Sequence, residues 1–241
     1  MDEIGLRGLV AAGAVFLGSV LQGSLGFGLA LVAAPVLIFL NPDWVPGALF
    51  VSGWPFVALM TWRERKHLSL QSEFPPWVGL VAGLVLGLLV LRFVEPSRLA
   101  LIAAGVILLA VGLSASGVRV ALNSWSRLFG GVLAGFMGAT ASIPGPALAL
   151  LHQEASPVQL RAVLAPYFFL GNTLALAGLW TTGQLSSDTV RIGFLLIPAS
   201  LLGFIISSHT SRWVQPALLR PAVYVFSGGA ALALIARSTL F

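Results

Sequence analysis

Gln22-Gly23-Ser24-Leu25-Gly26-Phe27-Gly28 lies inside an uncharged stretch that runs from residue 8 to residue 42. A bilayer core about 30 Å thick is crossed by roughly 20 apolar residues of helix. The stretch is too long for one such helix, and three glycines fall where a single helix would have to continue. Glycine weakens a helix interior and permits backbone shapes that other residues resist. The segment therefore reads as two helices joined by a break. Further along, Gly138-Ala139-Thr140-Ala141-Ser142-Ile143-Pro144-Gly145-Pro146 interrupts the uncharged stretch 128–151 in the same way. The stretches 44–62, 74–91, 99–118, 162–187, 192–208 and 221–236 also lack Asp, Glu, Lys, Arg and His. Each fits one crossing, the last two only with flanking residues.

The composition agrees. Of 241 residues, 58% are hydrophobic and only 9% charged, against roughly 25% charged in a soluble domain. So few charges cannot cover a water-facing surface of this size, which excludes a soluble enzyme and a disordered chain. The net charge of +5 comes from scattered basic residues with one short cluster, Arg63-Glu64-Arg65-Lys66. That is no phosphate-binding stripe, and no nucleic-acid partner is expected. The chain has no cysteine, so thiolate metal sites and disulfides are excluded. The acidic start, Asp2 and Glu3, and the long apolar run after it do not read as a cleavable signal peptide. The fold expected is an all-α polytopic membrane protein: a single transport domain over 1–241, with the lipid bilayer as its solvent.

Two repeats are expected, 8–118 and 128–236, each an interrupted, re-entrant helix pair followed by three transmembrane helices. Aligning Gly23-x-x-Gly26 with Gly135-x-x-Gly138 brings the breaks into register. Paired Gly/Pro breaks at equivalent places mark binding sites in repeat-built transporters. The positive-inside bias places the Arg63–Lys66 cluster in the cytoplasm. Sorting the basic residues does not separate re-entrant breaks from spanning ones, since eight of the thirteen fall inside either way, Arg212 and Arg220 among them in the re-entrant case and Arg237 in the other. Re-entrant hairpins with inverted halves are preferred, because 8–22 and 28–40 would each reach about 20 Å, to the midplane and back.

Broken backbone inside a bilayer must face protein or a watery cavity. Helices restarting near Leu29 and Ala147 would point free N–H groups and the positive end of the helix dipole into that cavity. Gly23, Gly26 and Gly28 allow close approach to the main chain. Ser24, Thr140 and Ser142 offer hydroxyls and Gln22 an amide, while Phe27, Gly138, Pro144 and Gly145 shape the loops. Together these residues are candidates for a small-anion site built without formal charge. The plainer reading is that the glycines allow tight packing and the hydroxyls bond back to their helices. Asn172, in mid-span beside Gly171 and Thr173, must find a hydrogen-bond partner, as helix glue or as a ligand contact. Trp54, before Pro55, marks a kink or a cavity wall. Arg161 marks a cavity mouth or a headgroup anchor.

No Asp, Glu or Lys falls within these stretches, so a relay through an intramembrane carboxylate is not expected. Any proton dependence would come from the substrate or from His152 and Glu154. Enzyme signatures are missing: no nucleophile elbow, no His-Glu-x-x-His, no Walker loop. No cofactor or metal is called for. Gly79-x-x-x-Gly83-x-x-x-Gly87 reads as close helix packing in the third span.

The chain resembles the sulfite exporter TauE/SafE family of bacterial membrane permeases. The resemblance rests on Gly26-Phe27-Gly28-Leu29 followed by Pro35, on Trp62-Arg63-Glu64-Arg65-Lys66-His67, on Gly135-Phe136-Met137-Gly138 through Pro146, and on Arg161-Ala162-Val163-Leu164 leading to Asn172. It implies two repeats in the cytoplasmic membrane and transport of sulfite, sulfonates or other small organic acids. The proline-rich Ser142–Pro146 segment and Val57, where the family often has more glycine and an Asn respectively, leave the substrate open. The expected function is a secondary transporter, an exporter of a small anion by alternating access. A channel of the same architecture and a non-transporting scaffold subunit are the alternatives, and the scaffold requires no cavity between the breaks. Self-association as a homo-oligomer stays open.

Overall fold

The computed structural model describes residues 3–67, 74–210 and 216–240. Arg212 and the side chains of Arg220 and Arg237 lie outside the described set. The described residues form ten α-helices and no strand. They are α1 (Glu3–Leu25), α2 (Leu29–Leu40), α3 (Gly47–Glu64), α4 (Phe74–Phe93), α5 (Pro96–Ala115), α6 (Ser124–Ala141), α7 (Gly145–Leu151), α8 (Pro157–Thr181), α9 (Ser187–Thr210) and α10 (Pro216–Leu240). Six helices among the described residues are long and apolar enough to cross a membrane, as a multi-pass membrane protein requires. The six are α1, α3, α4, α5, α8 and α9; α9 borrows flanking residues from Ser187, α10 contributes a shorter apolar helix, Pro221–Ala236, and α1, expected as a re-entrant arm, is long enough to cross.

Both breaks occur, and both are shorter than the stretches that announced them. α1 continues to Leu25 and α6 to Ala141, so only residues 26–28 and 142–144 leave the helix. Ser142 N–H still bonds back to Gly138 C=O at 2.7 Å, so Gly138 through Ala141 remain helical. What stops the helices is a left-handed residue: Gly26 has φ 99° and Ser142 φ 61°. Matching these two positions, as the repeat expectation requires, moves the alignment about one helical turn from the Gly23/Gly135 register. α1 is longer than the 8–22 arm, 23 residues or about 34 Å. α2 and α7, with 12 and 7 residues, reach only about 18 Å and 10 Å.

Small residues set the helix crossings. A Cβ on Gly79 or Gly83 of α4 would strike the carbonyls of Leu128 and Val132 on α6, and one on Gly131 or Gly135 of α6 would strike those of Pro76 and Leu80. α4 and α6 therefore run side by side in main-chain contact, the packing expected of the Gly79/Gly83/Gly87 stripe. α1 and α9 run parallel in a similar way, with Gly203 against Phe16 and Val20, and Gly23 against Ser207. Ser200 Oγ donates to Ser52 C=O at 2.7 Å and Arg63 bonds Ser208, so α3 lies parallel to α9. α8 runs against α3, pairing Asn172 with Phe50 and Arg161 with Glu64. It runs with α4, where Trp77 stacks on Tyr167 and Leu88 fills the space beside Gly178. Hence α1, α3 and α9 point one way, and α4, α6 and α8 the other.

Candidate functional site

The two breaks enter the bundle from opposite ends. Break one lies at the end where α3 finishes: Gly26 rests against Arg161, in the first turns of α8. Break two lies where α3 begins: Ser142 Oγ reaches Pro46 C=O at 3.4 Å. Between them is a cavity of about 40 Å³ lined by residues of both breaks, by Leu49, Gly53 and Val57 of α3 and by Phe168 and Asn172 of α8. That volume holds roughly three waters. Phe27 and Pro146 also border a second, wider cavity of about 280 Å³ on the α5 side, which carries Arg119, His152, Gln153 and Tyr224.

The structure brings Gln22, Phe27, Gly28, Ser142, Pro144, Gly145 and Asn172 to the small cavity. Both half-helices begin on its wall: α2 at Leu29, as expected, and α7 at Gly145, two residues before Ala147. Pro146 occupies the first turn of α7, where a missing N–H costs nothing. The first N–H of α2 is not free. Gln22 Oε1 accepts it from Leu29 at 3.1 Å, in a buried bond. Gln22 thus bridges the gap between α1 and α2 from inside, while Val32 N–H returns to Gly28 C=O at 3.2 Å. The N–H groups of Ala30 and Leu31 lie between these bonds, on residues that line the cavity. Asn172 Nδ2 donates to Phe50 C=O at 3.3 Å, tying α8 to α3 at the cavity's edge.

The other candidates lie elsewhere. Thr140 Oγ1 donates back to Phe136 C=O at 2.8 Å, the back-bond of the plainer reading. Gly138 lies one helical turn before the break, and a Cβ there would meet Pro144 at 3.4 Å. Gly23 belongs to the α1–α9 crossing. Trp54 donates to Thr173 Oγ1 at 3.0 Å and borders an outward-facing apolar cleft of about 650 Å³ between α3, α8 and α9, away from the small cavity.

The largest departure concerns charge. The sequence puts Arg63 and Glu64 just past the stretch 44–62, in a basic cluster assigned to the cytoplasm, and no acid within the uncharged stretches. Instead α3 runs through Glu64, which is only 5% exposed. Its Oε1 accepts from Arg63 Nε at 2.9 Å and from Arg161 Nε at 3.1 Å. Arg63 Nη2 donates to Gly23 C=O at 2.8 Å, and Arg161 Nη1 to Ser24 C=O at 3.0 Å. The cause is the end of α1, whose last carbonyls have no helical partner and are buried. Two guanidiniums satisfy them, and the carboxylate holds both guanidiniums. Arg161 is therefore tied to protein partners, Glu64 and the Ser24 carbonyl, rather than left as a free cation. Sequence reading missed the cluster because, apart from the adjacent Arg63–Glu64 pair, its contacts join residues 40 to 137 apart. The one signal was a Glu between two Arg at the end of an apolar run. Among the described residues no group of acids and histidines fits a metal ion.

A family model described as sulfite exporter TauE/SafE matches residues 10–234. No curated protein and no solved structure matches the chain.

Proposed function

Because the chain belongs to the sulfite exporter TauE/SafE family, we propose that this membrane transporter carries a small anion, such as sulfite, an organosulfonate or a small carboxylate, out of a bacterial cell by alternating access. The observation that carries the reading is the cavity walled by both breaks. Half-helix N-termini and glycine backbone give it N–H donors and positive dipole ends. Ser142 and the Asn172 amide add polar side chains. Such a wall compensates an anion without a buried lysine, and leaves it free to depart. Its size favours a compact oxyanion such as sulfite over longer sulfonates. The scaffold alternative, which required no cavity between the breaks, loses its premise.

The same proposal takes 8–118 and 128–236 as inverted repeats. Its support is a symmetry of contacts. Exchanging α1–α5 with α6–α10 turns the α1–α9 pair into α6–α4, α3–α9 into α8–α4, and α2–α10 into α7–α5, and all six pairs occur. α1 and α6 run in opposite directions, as inversion demands. Alternating access then amounts to opening the cavity first beside break one and then beside break two. Purified protein in proteoliposomes tests the reading. Saturable, counterflow-competent flux of sulfite, sulfoacetate or acetate is expected. Continuous conductance in a planar bilayer favours a channel instead, and absence of flux for every anion overturns both.

A further inference from the structure

Arg63, Glu64 and Arg161 form a compact ionic group at the α1 end of the small cavity. It contains two guanidiniums and one carboxylate, and Glu64 is the one acid in ion-pair contact with either arginine among the described residues. The side chains are 6% exposed for Glu64, 11% for Arg161 and 23% for Arg63. The group thus carries a net +1 where charge is poorly solvated, offset in part by the dipole end of α1. The carbonyls it caps belong to Gly23 and Ser24, directly after Gln22 of the cavity wall. Ser24 is 3% exposed, and its hydroxyl has no partner among the described residues. The excess cation and the positive-φ Gly26 therefore lie beside the three-residue loop whose Phe27 and Gly28 line the cavity, and the unmet Ser24 hydroxyl is buried in the last turn of α1, two residues before Gly26.

We propose that Arg63 and Arg161 form an anion subsite beside the first break, occupied at rest by the carboxylate of Glu64, which an incoming small oxyanion displaces. Glu64 presents to Nε of both arginines what sulfite, a sulfonate or a carboxylate would present: an anionic oxygen at hydrogen-bond distance. Exchange leaves both guanidiniums paired and releases the Glu64 carboxylate from Arg161, its ion-pair contact on α8. The inference rests on the anion-transport reading, but its test uses binding rather than flux, so a failure of either is told from a failure of the other.

The experiment measures the thermal stability of purified protein in detergent with increasing sulfite, at ionic strength held constant with sodium chloride. A ligand stabilises in proportion to the logarithm of its concentration over Kd. Glu64→Gln leaves two buried cations without their acid, so the variant melts lower than wild type, and sulfite should restore it with an apparent Kd several-fold below the wild-type value. Arg161→Gln should weaken sulfite binding roughly tenfold, the loss of one charge-assisted hydrogen bond. If Glu64→Gln does not fold, Glu64→Asp, which keeps the charge but draws it back, should tighten sulfite to a smaller degree. Unchanged or weaker sulfite binding in the folded Glu64 variant overturns the proposal and leaves the cluster a brace. Rescue by phosphatidylglycerol but not by sulfite overturns it too, since the guanidiniums then serve a lipid headgroup.

Discussion

Ser142 shows how backbone and side chain can be separated at a single residue. It is the one non-glycine residue with positive φ among those described, a conformation that costs an L-residue about 1–2 kcal/mol. Its hydroxyl makes only a 3.4 Å contact to Pro46 C=O. Ser142→Gly should therefore keep or raise the melting temperature, while apparent sulfite affinity in the flux assay falls several-fold, as expected for one hydroxyl worth on the order of 1 kcal/mol. Gly26 is the opposite case. At φ 99° with Arg161 at 3.4 Å from any Cβ, Gly26→Val strains the backbone and presses on the ionic cluster, so transport should be lost in protein that still reaches the membrane. Gln22→Leu removes the acceptor for Leu29 N–H. A buried donor without a partner costs about 1–3 kcal/mol, so this variant should melt measurably lower than wild type.

The helices were legible because a membrane span has a crude signature: an uncharged run of sufficient length. All eight runs correspond to helices or helix pairs, and both breaks fall inside the expected stretches. Their exact positions were less legible, because Gly138 to Ala141 are as compatible with helix as with loop, and only tertiary contact decides. The α4–α6 crossing was readable from Gly79, Gly83 and Gly87 alone. The Arg63–Glu64–Arg161 cluster was not, because a charge at the edge of a span looks the same whether it meets water or the end of another helix. At the element scale the glycines make a contrast. Gly83→Ala sets a Cβ against the Val132 carbonyl, a backbone atom that cannot swing away, so α4 and α6 must separate and folded yield should collapse. Gly105→Ala in α5 meets nothing within 4 Å and should be neutral or stabilising by up to about 1 kcal/mol. Fluorescence-detected size exclusion and thermal melts of the two variants check this directly.

For the molecule as a whole, the proposed function asks how a chain with 9% charged residues would select an anion. Two broken helices, entering from opposite ends, bring main-chain donors to a cavity between α3 and α8. The charges beside the first break, Arg63, Glu64 and Arg161, are held in an ion cluster rather than left open. On the proposed reading, selectivity would come from cavity size and donor geometry, and release would be easy because no charged side chain lines the small cavity. Both a compact-anion preference and sensitivity to bulk at the breaks follow from this arrangement. The most direct test is anomalous diffraction from crystals grown with selenite, a heavy analogue of sulfite. The reading requires a selenium peak between the two breaks, within hydrogen-bond reach of Ser142 or of the first residues of α2 and α7. Selenium found only at surface arginines, with the cavity between the breaks empty at saturating selenite, would contradict it.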